Sequence, residues 1–139
     1  MKKLIVLCTG NRCRSQMAHG YLKEMLKGKV EVFSAGSKPN HKGVHKLSIV
    51  IMQEEGIDIS SHKPRHIDEY KDIFFDLVLT VCDDAKESCV HFTNGKKHIH
   101  KSIPDPDQVF TDKEQELEYF RNIRNQVKTV CEEIVKEFK

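Results

Sequence analysis

Residues 4–15 of the chain, LIVLCTGNRCRS, decide the fold. The apolar run at 4–7 predicts a buried strand, and the helical spacing of apolar residues from Met17 to Leu26 predicts that a helix follows. The turn between them begins at Cys8 and contains a glycine, so its backbone N–H groups and the free donors of the helix start converge on one point. This order of elements predicts an anion-binding loop with a thiol inside it.

Two side chains give this loop its chemical character. The guanidinium of Arg14 is permanently charged and presents parallel donors that match a tetrahedral oxyanion. The positive field of the loop also favours the thiolate of Cys8 over the thiol. Ser15 stands at the helix start, where it can cap the helix or donate to the thiolate. The alternative, a buried structural cysteine near a surface arginine, is disfavoured by the strand–turn–helix setting.

The composition is that of one globular domain spanning residues 1–139. Its 23 Lys and Arg residues are scattered among 21 Asp and Glu residues, and the net charge of +2 gives no argument for nucleic acid or a membrane as partner. The first apolar run is too short for a signal peptide or a membrane span. We expect a cytoplasmic protein that acts as a monomer.

Alternating strands and helices predict the architecture. The predicted strands are 3–8, 30–34, 76–82 and 98–103, and the predicted helices are 15–26, 44–55, 68–73 and one from 111 nearly to the end. Such a pattern implies right-handed crossovers, hence an α/β fold with a four-stranded parallel sheet flanked by helices on both faces. Cys8 and Cys82 would both end a strand, on the edge where such sheets bind ligands. If those strands are neighbours, about 4.8 Å apart, the two sulfurs can meet.

Cys82 and Cys89 form a second feature. Five cysteines without an export signal argue against a disulfide framework and for catalytic, redox or metal roles. On an intact helix the two Cα atoms would be about 10.5 Å apart along the axis, whereas a disulfide tolerates about 4.4–6.8 Å. Joining them therefore requires residues 83–88, which are polar, to bend or unwind. Such a pair suits a redox shuttle; two unconnected reduced cysteines are the alternative.

A zinc site is the competing interpretation of this region. Its soft ligands would be Cys82, Cys89, His91, His98 and His100. Their spacing is not the tight spacing of structural zinc sites, and the last two alternate on a predicted strand that faces solvent. We therefore expect no metal.

Asp105 lies between Pro104 and Pro106, on a loop that follows the fourth predicted strand. A carboxylate on a stiff loop is well placed to act as a general acid. A plain turn aspartate is the alternative, since Pro and Asp often cluster in turns.

The loop and several later motifs together resemble one family. Residues 8–11, CTGN, followed by residues 13–18, CRSQMA, resemble the phosphate-binding loop of the thioredoxin-coupled arsenate reductases, which share the low-molecular-weight protein tyrosine phosphatase fold. The resemblance continues through residues 34–36, 57–60, 105–106 and 120–124 and the pair Cys82 and Cys89, and so covers nearly the whole chain. It implies a phosphotyrosine-phosphatase-I-like domain whose oxyanion loop comprises Thr9, Gly10, Asn11, Arg12, Cys13, Arg14 and Ser15.

The resemblance also implies a relay of three thiols. Cys8 attacks arsenate held by the loop and Arg14, while Asp105 protonates the departing oxygen. Cys82 then attacks Cys8, which forms a transient Cys8–Cys82 disulfide and releases arsenite, and Cys89 moves the bond to Cys82–Cys89. Thioredoxin reduces that disulfide, so no further cofactor is expected, and the chain has no G-x-G-x-x-G motif. Phosphate is expected to compete with arsenate.

Two other functions remain open. A phosphatase would need only Cys8, Arg14 and Asp105; phosphatases of this fold typically carry aromatic residues just after the Asp-Pro, where this chain has Asp107-Gln108. A non-catalytic thiol redox sensor would need the cysteines alone.

A potassium site is a further property of some relatives. They bind the ion beside the loop through positions that correspond to Asn11 and Ser34 and through a carboxylate of the first helix. His19 stands at that helical position here, which argues against potassium.

Overall fold

Four parallel strands form the centre of the molecule. The computed structural model describes residues 1–83 and 91–139. Its strands are β1 (Lys2–Cys8), β2 (Val30–Gly36), β3 (Phe75–Thr80) and β4 (Gly95–His100). Their order across the sheet is β2-β1-β3-β4, and each neighbouring pair is parallel. The predicted four-stranded parallel sheet is confirmed, and β1 and β3 are neighbours.

The helices of the described residues pack mainly on one side of the sheet. They are α1 (Arg14–Met25), α2 (Lys46–Gln53) and α3 (Lys113–Val135), with single 3-10 turns at Ile67–Tyr70 and Lys136–Phe138. Helix α1 lies against β1 and β2 and contacts both other helices, while α2 packs on α3. No helix in the described ranges is long and apolar enough to cross a membrane.

Strand β1 is buried on both faces, which explains its uninterrupted apolar run. Leu4, Val6 and Cys8 belong to the cluster that packs under the helices, whereas Ile5 and Leu7 belong to a smaller cluster on the opposite face. In the described part of the chain, that opposite face is covered by the 3-10 turn at Ile67–Tyr70 and by neighbouring aromatic side chains. The predicted short helix at 68–73 is thus observed as one 3-10 turn. Among the described residues, the α-helices cover mainly one face of the sheet, and this turn covers part of the other.

Strand β4 lies at the sheet edge as its polar sequence predicts, but it begins and ends three residues earlier than predicted. The last backbone hydrogen bond to β3 is donated by Lys101 to Thr80, at 2.9 Å. Ile103 is buried although it lies beyond the strand. Pro104 has no N–H to continue the ladder, so the chain leaves the sheet and forms the loop that carries Asp105.

Candidate active site

A cleft of about 410 Å³ opens where β1 ends and α1 begins. Six of its lining residues come from positions 8–14, and the others come from loops around 38–40 and 105–108. None of the described residues that line it is aromatic. The structure therefore brings three sequence-predicted residues, Cys8, Arg14 and Asp105, into one cleft at the carboxyl end of the sheet.

The Cys8 thiol is 1% exposed and is surrounded by donors. Its Sγ lies 2.9 Å from the Ser15 hydroxyl oxygen and accepts a hydrogen bond from the Asn11 backbone N–H at 3.2 Å. The side-chain amide of Asn11 donates to the same Ser15 oxygen at 2.7 Å, which leaves the hydroxyl proton free to point at the sulfur. Of the two roles open to Ser15, the geometry fits donation to Cys8, because α1 begins at Arg14 and its N-cap is Cys13.

Asn11 sets the backbone path of the loop. Its φ of 49° is in the left-handed region, which asparagine tolerates better than most residues. The side-chain oxygen accepts from the Arg65 N–H at 2.9 Å, and the backbone carbonyl accepts from the Gln16 amide at 3.0 Å. Asn11 is fully buried. These two hydrogen bonds anchor the loop on the side away from the cleft, while the Asn11 N–H points at the Cys8 sulfur.

Gly36, at the end of β2, allows the loop to approach the sheet. A Cβ at this position would lie 2.4 Å from the Thr9 carbonyl oxygen, so no larger residue fits without moving the backbone. Just beyond it, the Lys38 N–H donates to the Thr9 carbonyl at 2.9 Å and the Asn40 N–H donates to the Gly10 carbonyl at 3.0 Å. Sequence reasoning included Gly36 in a motif but missed this steric role.

Arg14 is held at the floor of the cleft, where its side chain is 3% exposed. One terminal nitrogen donates to the Ile103 carbonyl at 3.1 Å, and the other lies 3.7 Å from a carboxylate oxygen of Asp105. The Asp105 side chain is 44% exposed, so it lies at the mouth. A buried guanidinium below and a carboxyl group above enclose the position that an oxyanion would occupy next to Cys8.

Asp107 links the acid loop to the oxyanion loop, a contact that sequence reasoning missed. Its carboxylate accepts from Arg12 at 3.0 Å and lies 3.8 Å from Nε2 of His45. Its backbone N–H donates to the Asp105 carboxylate at 2.9 Å. The Nε group of Arg12 is buried and has no hydrogen-bond partner among the described residues, which leaves one donor for a bound anion.

His45 is the N-cap of α2, which begins two residues later than predicted. Its Nδ1 accepts from the Leu47 N–H at 3.1 Å, so the proton of the neutral ring sits on Nε2 and faces Asp107. Burial and the nearby Arg12 lower the pKa of His45, which favours this neutral form. The His45 backbone N–H also donates to the Arg12 carbonyl at 3.2 Å, so the start of α2 supports the loop.

The other cysteines differ in state. Cys8, Cys13 and Cys131 are free and buried, and burial strongly raises the pKa of the latter two thiols. Cys82 follows β3, is fully buried and is disulfide-bonded. The Val81 N–H donates to the Leu7 carbonyl at 2.9 Å, which places Cys82 beside the end of β1. Cys89 lies outside the described residues, and so does most of the segment predicted to rearrange.

Behind the loop, the hydroxyl of Ser34 is paired with a histidine of α1. His19 Nδ1 lies 2.8 Å from the Ser34 hydroxyl, and the His62 ring lies 4.6 Å from the His19 ring at an interplanar angle of 36°. Burial, with His62 and Lys23 close by, lowers the pKa of His19 to about 3. A hard cation prefers oxygen ligands, whereas here a histidine nitrogen contacts the hydroxyl and Lys23 lines the same cavity. Within residues 1–83 and 91–139, no three His, Cys, Asp or Glu side chains group closely enough to hold a metal.

A thiol inside a backbone oxyanion loop, with an arginine below and a carboxyl group above, defines a cysteine-dependent α/β enzyme that acts on tetrahedral oxyanions. The family model of the low molecular weight phosphotyrosine protein phosphatases matches residues 3–139, and the chain belongs to this family.

Similar proteins of this family are arsenate reductases. The arsenate reductase of Halalkalibacterium halodurans is 36% identical over 126 residues, which cover 91% of this chain and 89% of that protein. A solved arsenate reductase in the phosphate binding state is 33% identical, with a TM-score of 0.83 and full coverage of both chains. Another, in an oxidized state, is 30% identical with the same score and coverage.

Proposed function

We propose that this protein reduces arsenate to arsenite with Cys8 as nucleophile and with Cys82 and Cys89 as the thiols that carry the oxidation away. The observation that carries the proposal is the adjacency of β1 and β3, which end near Cys8 and Cys82. A second cysteine beside the nucleophile, once its disulfide is reduced, gives a route for two electrons that hydrolysis does not need. Arsenate reductases with full coverage of the chain, in phosphate-binding and oxidized states, support this choice.

The first step joins sulfur to arsenic. Arsenate enters the cleft as an anion and is held by the loop N–H groups, Arg14 and the free Nε donor of Arg12. The Cys8 thiolate attacks the arsenic, a sulfur–arsenic bond forms and one arsenic–oxygen bond breaks. Protonated Asp105 donates its proton to the departing oxygen, which leaves as water. The donors around the Cys8 sulfur stabilise it as the attacking thiolate before this step.

The next steps move electrons between thiols. The Cys82 thiolate attacks the Cys8 sulfur, so a Cys8–Cys82 disulfide forms, and the electron pair of the broken sulfur–arsenic bond stays with arsenic, which leaves as arsenite. Cys89 then attacks Cys82 and returns Cys8 to the thiolate. The dithiol of thioredoxin reduces the Cys82–Cys89 disulfide and is itself oxidised. This cycle is expected in the cytoplasm, where thioredoxin is kept reduced, and with a monomeric enzyme.

The test is arsenite release in the presence of thioredoxin, thioredoxin reductase and NADPH. We expect no arsenite from Cys8→Ser. Cys82→Ser should form the thiol–arsenic adduct without releasing arsenite. Cys89→Ser should release about one arsenite per protein and then stop as the Cys8–Cys82 disulfide, because the relay lacks its last thiol.

Cys131→Ala is the matched control, because this cysteine is buried under the helices away from the cleft and has no place in the relay. It should sustain turnover. If Cys89→Ser also sustained full turnover with thioredoxin, the three-thiol relay would be wrong.

Phosphomonoester hydrolysis is the second candidate, since Cys8, Arg14 and Asp105 share one cleft and the family is that of phosphatases. The cleft lacks an aromatic wall among its described residues, which disfavours stacking of an aryl group. Hydrolysis of an aryl phosphate, measured beside arsenate reduction, separates the two. Brisk hydrolysis with arsenate left unreduced would select the phosphatase.

A further inference from the structure

A second cavity, of about 180 Å³, lies behind the oxyanion loop. We propose that this rear pocket, defined by Gln16, His19, Lys23, Ser34, His62 and Lys63, binds a small tetrahedral oxyanion of the sulfate or phosphate class. It shares no described lining residue with the cleft that contains Cys8. The two cavities are therefore separate sites on opposite sides of one loop.

The charge around the rear pocket is positive and largely uncompensated. Arg65 and the two pocket lysines line it with two histidines, and no described aspartate or glutamate does. Arg65 pairs with Glu69 at 3.2 Å, whereas Lys23 and Lys63 have no ion-pair partner among the described residues. Cations gathered around a cavity without a counterion repel one another, and a bound anion would relieve that repulsion.

The floor of the pocket consists of buried polar groups rather than apolar ones. Gln16 is 1% exposed and Ser34 is 4% exposed. The Gln16 amide nitrogen donates to the carbonyls of Asn11 and Lys63, so its oxygen faces His62 and accepts from Nδ1 at 3.0 Å. The neutral His62 ring then keeps Nε2 unprotonated, and uptake of a proton there would add one more donor for an anion.

Burial first, and nearby cationic groups second, disfavour protonation of both histidines. Burial lowers the pKa of His19 to about 3, and burial together with Lys23 lowers the pKa of His62. Asp58 acts in the opposite direction on His62 but is too weak to reverse the shift. An anion in the pocket favours the protonated rings, so anion binding and proton uptake should occur together.

The size of the pocket fits a small ion. A water molecule occupies about 30 Å³ of liquid volume, so the cavity holds a few waters or one tetrahedral oxyanion with part of its hydration. An occupant would lie on the far side of Gln16 from the oxyanion loop. Gln16 bonds to the Asn11 carbonyl at 3.0 Å, and the Asn11 N–H bonds to the Cys8 sulfur at 3.2 Å. The Gln16 side chain and the backbone of Asn11 thus separate the proposed anion site in the rear pocket from the one at Cys8.

Sodium sulfate is the probe, because thiols do not reduce it, and it is titrated at constant ionic strength with sodium chloride. The imidazole NMR signals of His19 and His62 report on the rear pocket, and the amide signal of Gly10 reports on the cleft. We expect two different binding curves. Lys23→Gln with Lys63→Gln should weaken the binding seen at the histidines at least roughly tenfold and leave the Gly10 curve within about twofold.

Lys27→Gln with Lys29→Gln is the matched control, since these lysines are exposed like the pocket pair and their substitution removes the same charge, but they lie just beyond α1 and do not line the pocket. It should change neither curve by more than about twofold. The proposal is overturned if sulfate leaves the imidazole signals in place, if they follow the Gly10 curve, or if both lysine pairs weaken binding equally. No turnover is measured, so this outcome is independent of the proposed arsenate reduction.

Discussion

At the scale of single residues, the hydroxyl of Ser15 lies 2.9 Å from the Cys8 sulfur and can donate to it. Ser15→Ala removes that donor and leaves the Asn11 amide without its acceptor. A hydrogen bond to a charged group contributes about 1.5–3 kcal/mol. We therefore expect alkylation of Cys8 by iodoacetamide at pH 7 to slow by roughly tenfold or more. Ser60→Ala, at an exposed position, should leave the rate unchanged; equal rates in all three proteins would exclude the Ser15 contact as a source of reactivity.

Asp107 tests how the acid loop is held. In Asp107→Asn the carboxylate that accepts from Arg12 loses its charge, so the loop that carries Asp105 is less firmly placed while Arg12 becomes free for the anion. Since a partly exposed ion pair contributes on the order of 1 kcal/mol, we expect kcat for arsenate to fall roughly fivefold and KM not to rise. Asp72→Asn, an exposed control, should change neither constant. A higher KM with unchanged kcat would contradict this role.

Sequence reasoning found the residues that a local pattern identifies. Cys8 and Arg14 lie in one strand–turn–helix segment, and Asp105 lies between two prolines. Asp107 and His45 could not be found in this way, because their roles depend on contacts between loops about sixty residues apart or more. No periodicity or spacing reports such contacts; only the position of Asp107 two residues from Asp105 could have drawn attention to it.

At the scale of elements, the close approach of β2 to the oxyanion loop depends on Gly36. Gly36→Ala would place a methyl group 2.4 Å from the Thr9 carbonyl, and overpacking of this kind costs about 1–3 kcal/mol. We expect urea unfolding to show a loss of that size. Gly10→Ala is the matched control in the same loop, because its nearest neighbour would be 3.9 Å away. A similar loss in both variants would indicate a general preference for glycine rather than this contact.

The predicted elements differ from the observed ones mainly at their ends. Sequence reasoning extended β4 to Ile103, yet Ile103 lies beyond the strand, where it is buried and its carbonyl accepts a hydrogen bond from Arg14. Helix α2 begins at Lys46 because the His45 ring caps it. Histidine is not among the residues preferred at helix N-caps, so the sequence did not predict this role. The burial of Ile103 outside a strand and the cap formed by His45 both depend on the tertiary structure. A pattern of apolar residues in the sequence therefore does not predict them.

At the scale of the whole molecule, the partly buried His19 makes stability depend on pH. His19 has a folded-state pKa of about 3, against about 6.5 in an unfolded chain. As pH falls below 6.5, the unfolded chain takes up a proton that the folded protein does not, so this group lowers stability with a slope that approaches about 1.4 kcal/mol per pH unit. We expect urea unfolding in chloride buffers to show a loss of about 2 kcal/mol from this group between pH 7 and pH 5, and His19→Gln to reduce the pH dependence. His41→Gln, at an exposed site, should keep the wild-type slope; a slope unchanged in His19→Gln would contradict the assignment.

The overall architecture was predictable because its signals are long and repeated. Continuous apolar strands such as β1 occur where both faces of a parallel sheet are covered, and the alternation of strands with amphipathic helices leaves few topologies. The adjacency of β1 and β3 was left open by the sequence pattern, and the structure supplies it.

The central position of β1 also sets the order in which a growing chain can complete its active site. Cys8 is synthesised before β3, yet β1 needs β3 as its second neighbour, through pairs such as Leu4 with Leu77. The carbonyl that holds Arg14 belongs to Ile103, and the acid loop follows directly after it. During translation, about a hundred residues must therefore be added after Cys8 before its oxyanion site is complete. A ribosome-bound fragment that ends before β3 should contain the Cys8 thiol but should not bind oxyanions.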